Sequence, residues 1–294
     1  MPCFNPITGY RYEDGTVKFN EARGMLRAVT IPCGQCIGCR IQRTKDWALR
    51  CVHEASLHTE NCFITLTYND ENLPPDEGLV KRDFQLFMKR LRKRLGGRKI
   101  KYYMCGEYGS QLGRPHYHAI VFGWNPHDLE PFRTFQGVTT YESKMLADVW
   151  GLGFVTVGDV TWQSAAYVAR YCMKKITGDP AELHYTKCDR FTGELIPVHP
   201  EYAAMSKGIG KGWYEKYSSD CFPSDFLIHD GKKLRVPKYY ERMFQLDDPH
   251  AHEDVVMARL ENAEKHAHNN TDERLEVRHE VLKRKLDKLK RTLE

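Results

Sequence analysis

Hydrophobic residues recur along the chain at strand and helix intervals, and their spacing predicts the first elements. Residues 63–68, FITLTY, are rich in β-branched and aromatic side chains, which favours a strand. Between residues 80 and 95 the apolar positions recur every three or four residues, which predicts an amphipathic helix that ends at Gly96. Residues 101–109 and 114–123 both have the composition of strands, and the short loop between them predicts an antiparallel hairpin.

The pattern continues in the second half of the chain. Residues 153–160, GFVTVGDV, predict a strand, and residues 164–178, SAAYVARYCMKKITG, predict a helix. This order of elements predicts an α+β domain in which a central antiparallel sheet carries its helices on one face. Near the C-terminal end, leucines at seven-residue intervals predict a long exposed helix, which is as consistent with a solvated or partner-bound helix as with a coiled coil.

Length and composition limit the size of the hydrophobic core and the number of domains. A chain of 294 residues, of which 41% are hydrophobic, can form one sizeable core with small appendages. We predict a cysteine-rich N-terminal cap, an α+β core, an aromatic and glycine-rich extension, and a charged C-terminal helix, spanning residues 1–56, 57–178, 179–246 and 247–294. No apolar run is long enough to cross a bilayer and residues 1–10 lack a signal-peptide pattern, so we expect a cytoplasmic protein with no membrane partner.

Charge is more informative by position than in total. The formal net charge of +5 is a mild basic bias that does not by itself indicate nucleic acid. Basic residues crowd into residues 81–101, and a solvated helix face or a phosphate-binding surface explains this block equally well. If the block binds DNA, the contacts are expected from Lys89, Arg90, Arg92, Lys93 and Arg94.

The predicted hairpin carries a candidate metal site. His116 and His118 are two residues apart on a strand, so their imidazoles project from the same face. Glu107 lies at the end of the preceding strand, and an antiparallel hairpin brings its carboxylate beside His116. Mixed nitrogen and oxygen ligands with open positions suit Mn²⁺ or Mg²⁺. A lone pair of histidines at this spacing is more often merely polar residues on an edge strand, so the site needs further support.

The helix at residues 164–178 carries a candidate nucleophile. Tyr167 and Tyr171 are four residues apart and therefore share a helix face, with Lys174 and Lys175 about one turn further along. A phenol ionises near pH 10, so a tyrosine nucleophile needs nearby positive charge or a base, and the lysines could supply that charge. The alternative is an amphipathic helix whose tyrosines only pack on the sheet.

Ten cysteines in a reducing compartment are expected to be thiols or metal ligands. Cys33, Cys36 and Cys39 are spaced as metal ligands, and a tetrahedral zinc site needs one ligand more. Cys3, Cys51 and His53 are all candidates for the fourth position, and we take Cys51 as the predicted ligand. Structural Zn²⁺ and simple reduced thiols under the cap both remain open.

Taken together, the strand FITLTY, the segment GEYGSQLGRPHYHAIVFG and the helix YVARYCMKK resemble the HUH endonuclease superfamily, in particular the two-tyrosine replication initiators of the microviruses. PCGQCIGCR at residues 32–40 and GIGKGWYEKY at residues 208–217 resemble the gokushovirus initiators. The resemblance implies an RRM- or ferredoxin-like core. It also implies that His116 and His118 bind Mg²⁺ or Mn²⁺ with Glu107 as the acidic ligand. Tyr167 and Tyr171 would then be nucleophiles, with Lys174 or Lys175 as the basic helper.

The implied activity is rolling-circle initiation. A tyrosine would nick the single-stranded or supercoiled viral origin, form a 5′-phosphotyrosine link and leave a 3′-hydroxyl for a host polymerase, with a host helicase as a further expected partner. One alternative is an HUH relaxase or transposase of a plasmid or mobile element, which shares the chemistry. Another is a non-catalytic nucleic-acid-binding regulator in which the histidines and tyrosines are structural.

Overall fold

The computed structural model describes residues 3–109, 113–170, 175–188 and 192–288, in two units. One unit comprises Met1–Thr44 with Phe244–Glu294, and the other comprises Lys45–Met243. Two helices contain the boundaries between them, α1 (Ile37–Ala55) and α7 (Lys238–Asp247). No helix in the described part of the chain is long and apolar enough to span a membrane.

The smaller unit combines a three-stranded sheet with two long helices. Its strands are β1 (Ile7–Tyr12), β2 (Val17–Lys18) and β3 (Met25–Ile31), in the order β2-β1-β3. Its helices are α8 (Pro249–Lys265) and α9 (Asp272–Asp287), with a 3₁₀ turn at Ala267–Asn269 between them. The predicted C-terminal helical extension is confirmed, with a helix break that the leucine spacing does not predict.

The larger unit contains a seven-stranded sheet. Its elements in chain order are β4 (Asn61–Tyr68), α2 (Lys81–Arg94), β5 (Lys101–Tyr108), β6 (Pro115–Phe122), β7 (Leu129–Phe135), β8 (Val138–Ser143), α3 (Lys144–Trp150), β9 (Gly153–Gly158), α4 (Trp162–Ala169), α5 (Pro180–His184), β10 (Thr186–Cys188), β11 (Leu195–Pro197), β12 (Tyr202–Met205), α6 (Lys211–Cys221), β13 (Phe226–His229) and β14 (Lys232–Arg235). The sheet order is β12-β5-β6-β4-β9-β8-β7, and each pair of neighbouring strands in it is antiparallel. The predicted α+β class is therefore confirmed.

The helices are divided between both faces of this sheet, whereas the sequence predicted one. On one face, Phe87 and Leu91 of α2 and Trp150 of α3 pack against the buried side of β4, β5 and β6. On the other, α1 and α4 cover a second apolar cluster formed with the sheet, which includes Ala48, Tyr103, Cys105, Ile120, Phe122, Ala165, Val168 and Ala169. Both faces of β5 and β6 are apolar along most of their length, so each face needs a helical cover.

The register of the strands places the residues of the candidate metal site on one of these faces. In the β5–β6 hairpin, Glu107 lies opposite His116 and Cys105 lies opposite His118. On the other side of β6, Thr65 of β4 lies opposite His118. Directly paired residues point to the same face of a sheet. Glu107, His116, His118 and Thr65 therefore share the face that α1 and α4 cover in part.

Candidate metal and tyrosine site

Two imidazoles and a carboxylate converge at one end of β5 and β6. The Nε2 atoms of His116 and His118 each lie 3.4 Å from Oε1 of Glu107. The ligand atoms of all three residues are within 4.8 Å of one another. Glu107 and His118 are buried, so they are held away from bulk water. This donor set of two nitrogens and an oxygen fits a divalent cation, and the residues that would hold it are the three predicted from the sequence.

The second nitrogen of each imidazole is occupied by a hydrogen bond. His116 Nδ1 lies 3.1 Å from the carbonyl oxygen of Arg114, and His118 Nδ1 lies 2.9 Å from the Thr65 hydroxyl. A carbonyl oxygen only accepts, so Nδ1 of His116 carries the proton and Nε2 of the neutral ring keeps its lone pair for a metal. Such partners fix the ring orientation of metal-binding histidines. The HxH spacing does not identify Thr65 as one of them.

The Thr65 contact leads to a first prediction. Replacing Thr65 by valine keeps the side-chain shape and removes the hydroxyl that holds His118, so we expect Mn²⁺ affinity to fall about 10- to 100-fold. Calorimetric titration with Mn²⁺ measures this. Thr156→Val is the matched control, because Thr156 pairs with Thr65 from the next strand and lies one strand further from the imidazoles. Equal Mn²⁺ affinity in Thr65→Val and Thr156→Val would contradict the role of Thr65.

The hydroxyl of Tyr167 faces this group. It donates a hydrogen bond of 3.0 Å to Oε1 of Glu107 and lies 3.4 Å from Nε2 of His118. The Tyr167 side chain is almost buried, and its ring stands edge-on to His118 and Phe63. Burial raises the pKa of this phenol and the neighbouring Glu107 charge raises it further, while Arg170 opposes both effects. The proton therefore stays on Tyr167 unless more positive charge is placed beside it.

Helix α4 presents Tyr167 because its first turn is capped. Thr161 accepts from the Ser164 amide while the Ser164 side chain accepts from the Thr161 amide, which closes a capping box. At the other end, the Arg170 guanidinium lies 4.8 Å from the centroid of the Tyr167 ring. Sequence reasoning missed Arg170 as a charge at the site, although it lies three residues after Tyr167.

The other predicted residues of this helix are only partly placed. Tyr171 and Lys174 lie outside the described residues. Lys175 is described in a segment that is not helical, beyond the end of α4 at Ala169. The predicted roles of Tyr171, Lys174 and Lys175 stay predictions.

An exposed aromatic side chain extends the same face of the sheet. Phe154 of β9 pairs with Thr67 of β4, and Thr67 pairs with His116 of β6, so the three lie in one row across the sheet. Phe154 is 66% exposed, in contrast to the aromatic residues of the core. Gly153 allows this placement, because it has φ +148° and a Cβ there would lie 2.3 Å from the Thr67 carbonyl oxygen. The residues at 153–160 favour a strand, but their pattern does not indicate that Phe154 is solvent-exposed.

The basic helix is not brought to this site. The apolar side of α2 packs on the opposite face of the sheet, and its basic residues are exposed there, with Arg92 lying over the ring of Tyr102 of β5. Arg90 is also a structural residue, since its guanidinium donates to the carbonyl oxygens of Val149 and Trp150 at 2.7 and 2.8 Å. These carbonyls close the end of α3, where a helix lacks internal donors. DNA contacts by Lys89, Arg90, Arg92, Lys93 and Arg94 stay a prediction, at a distance from Tyr167.

The cysteine cluster has a different fourth member from the one predicted. Among the described residues, the sulfurs of Cys3, Cys33, Cys36 and Cys39 lie within 4.8 Å of one another in the smaller unit. Cys51 is not in this group. It is fully buried in the apolar cluster of the larger unit, because it lies on the side of α1 that packs toward Tyr103 and Cys105.

Comparison with known proteins gives consistent matches. A model of the family described as replication-associated protein ORF2/G2P matches residues 61–176, which contain the hairpin and α4. The replication-associated protein VP4 of Bdellovibrio phage phiMH2K is 32% identical over 260 residues, 85% of this chain and 79% of the relative. The replication-associated protein ORF2 of Spiroplasma virus 4 is 31% identical over 270 residues, 83% of this chain and 81% of the relative.

A third relative, the replication-associated protein ORF4 of Chlamydia phage 1, is 31% identical over 223 residues, 73% of this chain and 53% of the relative. No solved structure gives a significant match to the chain. The matched residues include the full β5–β6 hairpin with its three candidate ligands and the tyrosine helix.

Proposed function

The chain belongs to the family of phage replication-associated proteins, and from this premise we propose that it starts replication by nicking the origin strand with a tyrosine. The proposed activity is that of a metal-dependent single-stranded DNA endonuclease that also rejoins strands. The observation that carries this proposal is the position of the Tyr167 hydroxyl, 3.0 Å from Glu107 and 3.4 Å from His118. A nucleophile and a cation site within this reach can act on one phosphate group.

In the proposed reaction Tyr167 Oη attacks the scissile phosphorus in line with the bond to the 3′-oxygen. A bond from phosphorus to Tyr167 forms as the bond to the 3′-oxygen breaks; the phenol gives up its proton and the leaving 3′-oxygen takes one up, which gives a 5′-phosphotyrosine and a free 3′-hydroxyl. One phosphodiester is exchanged for another without hydrolysis, so the covalent link keeps the energy needed to rejoin the strand. The 3′-hydroxyl can then be extended by a host polymerase.

The residues around Tyr167 have complementary tasks in this scheme. Oε1 of Glu107 already accepts the hydrogen bond of the phenol and is placed to take its proton. The guanidinium of Arg170 lies over the ring and favours negative charge on Oη and on the incoming phosphate. Phe63 packs edge-on against the ring and keeps the phenol in one orientation. Glu107, His116 and His118 would hold Mn²⁺ or Mg²⁺, which when bound would withdraw charge from the phosphate oxygens.

Tyr171 would act as the second nucleophile, as the two-tyrosine resemblance implies. A second phenol on the same protein lets the regenerated origin be cut while the first phosphotyrosine is resolved. The viral origin, as single-stranded or supercoiled DNA, is the proposed substrate, and a host helicase is a proposed partner for opening the duplex.

The decisive experiment looks for a covalent product. The protein is incubated with 5′- and 3′-labelled single-stranded origin DNA and Mn²⁺, then boiled in detergent and separated by electrophoresis. A nicking enzyme leaves the 3′ label attached to the protein and releases the 5′ label on a shorter strand. A non-catalytic regulator shifts the DNA only in native gels. Peptide mapping of the adduct then identifies the attacking tyrosine. An HUH relaxase or transposase would form the same adduct, but on the origin of a plasmid or mobile element instead of the phage origin.

The exposed aromatic residue beside the site leads to a second prediction. Single strands are held by stacking of bases on aromatic rings, and loss of one such ring costs about 1–3 kcal/mol per base. We therefore expect Phe154→Ala to weaken binding of single-stranded DNA roughly 5- to 150-fold. Fluorescence anisotropy at one fixed salt concentration measures this.

Phe132→Ala is the matched control for Phe154. Phe132 is 57% exposed, close to the 66% of Phe154, but it lies on the edge strand β7, three strands from β4 in the sheet order. We expect Phe132→Ala to bind DNA as the unmodified protein does. If both substitutions weaken binding equally, stacking beside the site is not the cause.

A further inference from the structure

The cysteine cluster of the smaller unit has the dimensions of a filled metal site. The sulfur of Cys3 lies 3.7 Å from that of Cys33 and 3.9 Å from that of Cys36. Zinc binds thiolates at about 2.3 Å, and a regular tetrahedron of that radius separates its sulfurs by about 3.8 Å. These separations are far longer than the S–S bond of a disulfide, which is about 2.0 Å. Four free cysteines in this arrangement match tetrahedral tetrathiolate coordination.

Backbone amides stabilise the sulfurs in the way that metal thiolates require. The amide of Cys36 donates to the sulfur of Cys33 at 3.3 Å, which is the geometry of a C-x₂-C turn. The amides of Cys33 and Phe4 donate to the sulfurs of Cys3 and Cys36 at 3.3 and 3.4 Å. Such amide donors offset the negative charge that collects on sulfurs around one cation. Three amides aimed at three sulfurs are an observation independent of the sulfur positions.

The smaller unit also has little else to hold it together. Most residues of its sheet β2-β1-β3 are exposed or only half-buried. Its buried apolar residues, among those the structure describes, are Cys3, Tyr12, Cys39, Val255 and Leu275. Small units with so little core commonly depend on a disulfide or a metal. Here two of the few buried residues are members of the sulfur cluster.

We propose that Cys3, Cys33, Cys36 and Cys39 together bind one structural zinc ion, which joins the segment before β1 to the first turn of α1. Mononuclear zinc fits better than an iron–sulfur cluster, because the bridging sulfides of a two-iron cluster hold the cysteine sulfurs further apart than these distances allow. With four protein ligands the coordination is closed, so this zinc takes no part in DNA chemistry. The proposal is independent of the nicking activity and goes beyond it.

The test compares two buried cysteines of which only one is a proposed ligand. Cys3 and Cys51 are 1% and 0% exposed, and replacement by alanine is the same chemical change at both. The full chain, purified without chelator, is expected to contain about one zinc by elemental mass spectrometry after dialysis against Mg²⁺. Exchange with Co²⁺ should give the near-ultraviolet sulfur-to-cobalt band, which the Glu107 and histidine site cannot produce. Cys3→Ala should lose the zinc and most of this band, and Cys51→Ala should keep both.

Thiol labelling of the unmodified chain tests the proposal without relying on variants that could fail to fold. With metal bound, iodoacetamide should modify exposed Cys188 and leave Cys3, Cys33, Cys36 and Cys39 unlabelled; a chelator should make all four reactive together. The proposal is overturned if the unmodified chain contains iron in place of zinc or contains no metal and gives no sulfur-to-cobalt band. It is also overturned if chelation leaves the labelling pattern unchanged.

Discussion

Replacing Tyr167 and Tyr171 together by phenylalanine is expected to abolish the covalent protein–DNA adduct and to lower the nicking rate by on the order of 10⁴-fold or more. The reason is that each substitution removes only the hydroxyl oxygen that would bond to phosphorus. The Tyr167 ring, which packs against His118 and Phe63, is retained, so binding of single-stranded DNA should change little. Adduct yield on labelled origin DNA and anisotropy with the same oligonucleotide measure the two quantities.

Tyr185 provides the matched control for loss of a buried phenol. It is 6% exposed, against 8% for Tyr167, and its hydroxyl also donates to a buried carboxylate, that of Glu201. Tyr185→Phe therefore reproduces the structural cost of the substitution at a position outside the metal group, and it should form the adduct at the normal rate. An undiminished adduct in the double variant would falsify the assignment of both nucleophiles. Equal loss in Tyr185→Phe would indicate damage to the fold instead of the chemistry.

The position of Glu107 could be predicted because a hairpin leaves little freedom. Strand periodicity places His116 and His118 on one face, and a short loop limits which residue of the preceding strand lies opposite them. In the structure Glu107 lies opposite His116, and its role as a ligand stays a prediction. Both inferences use residues close in sequence, where the covalent chain itself sets the distances.

Other features of the two candidate sites depend on contacts between residues far apart in the sequence or on solvent exposure, and the sequence does not show either. Thr65 reaches His118 across a strand pair formed by residues 53 positions apart, and such pairing has no local signal. The residues around Phe154 favour a strand whether its side chain is buried or exposed, so the sequence does not indicate its exposure. Cys3, one of the three candidates for the fourth ligand, joins a cluster that begins 30 residues later, whereas Cys51, the one chosen, packs in the core because it lies on the apolar side of α1. Spacing suggests a fourth ligand but does not choose between a thiol before the cluster and one after it.

The division of helices between both faces has a similar origin. An amphipathic pattern predicts that a helix covers apolar surface, but it does not specify which face of a sheet that surface belongs to. For α2 this choice matters for function, because its basic residues lie on the face opposite Tyr167. A DNA strand at the tyrosine is therefore expected to depend more on Arg170 and Phe154 than on α2.

Removing one ligand from the metal group should nearly eliminate nicking. In His118→Ala the cation would keep Glu107 and His116 only, so we expect the nicking rate at subsaturating Mn²⁺ to fall by on the order of 10³-fold, because charge withdrawal at the phosphate is worth several kcal/mol. Binding of single-stranded DNA without added divalent cation should be unchanged, since it does not require the cation. Unmodified protein dialysed into buffer that lacks Mn²⁺ and Mg²⁺, without a chelator, should show the same loss of nicking, and added Mn²⁺ should reverse it.

His127→Ala is the control, since His127 is exposed in the loop between β6 and β7. It should nick at the normal rate over the whole Mn²⁺ range. The Mn²⁺ dependence separates a ligand from a residue that only packs against Tyr167: loss of a ligand shifts the half-saturating Mn²⁺ concentration upward, whereas loss of packing lowers the maximal rate at every concentration. If His118→Ala keeps the half-saturating concentration of the unmodified protein, His118 does not bind the cation and the converging imidazoles serve only to hold Glu107 and Tyr167 in place.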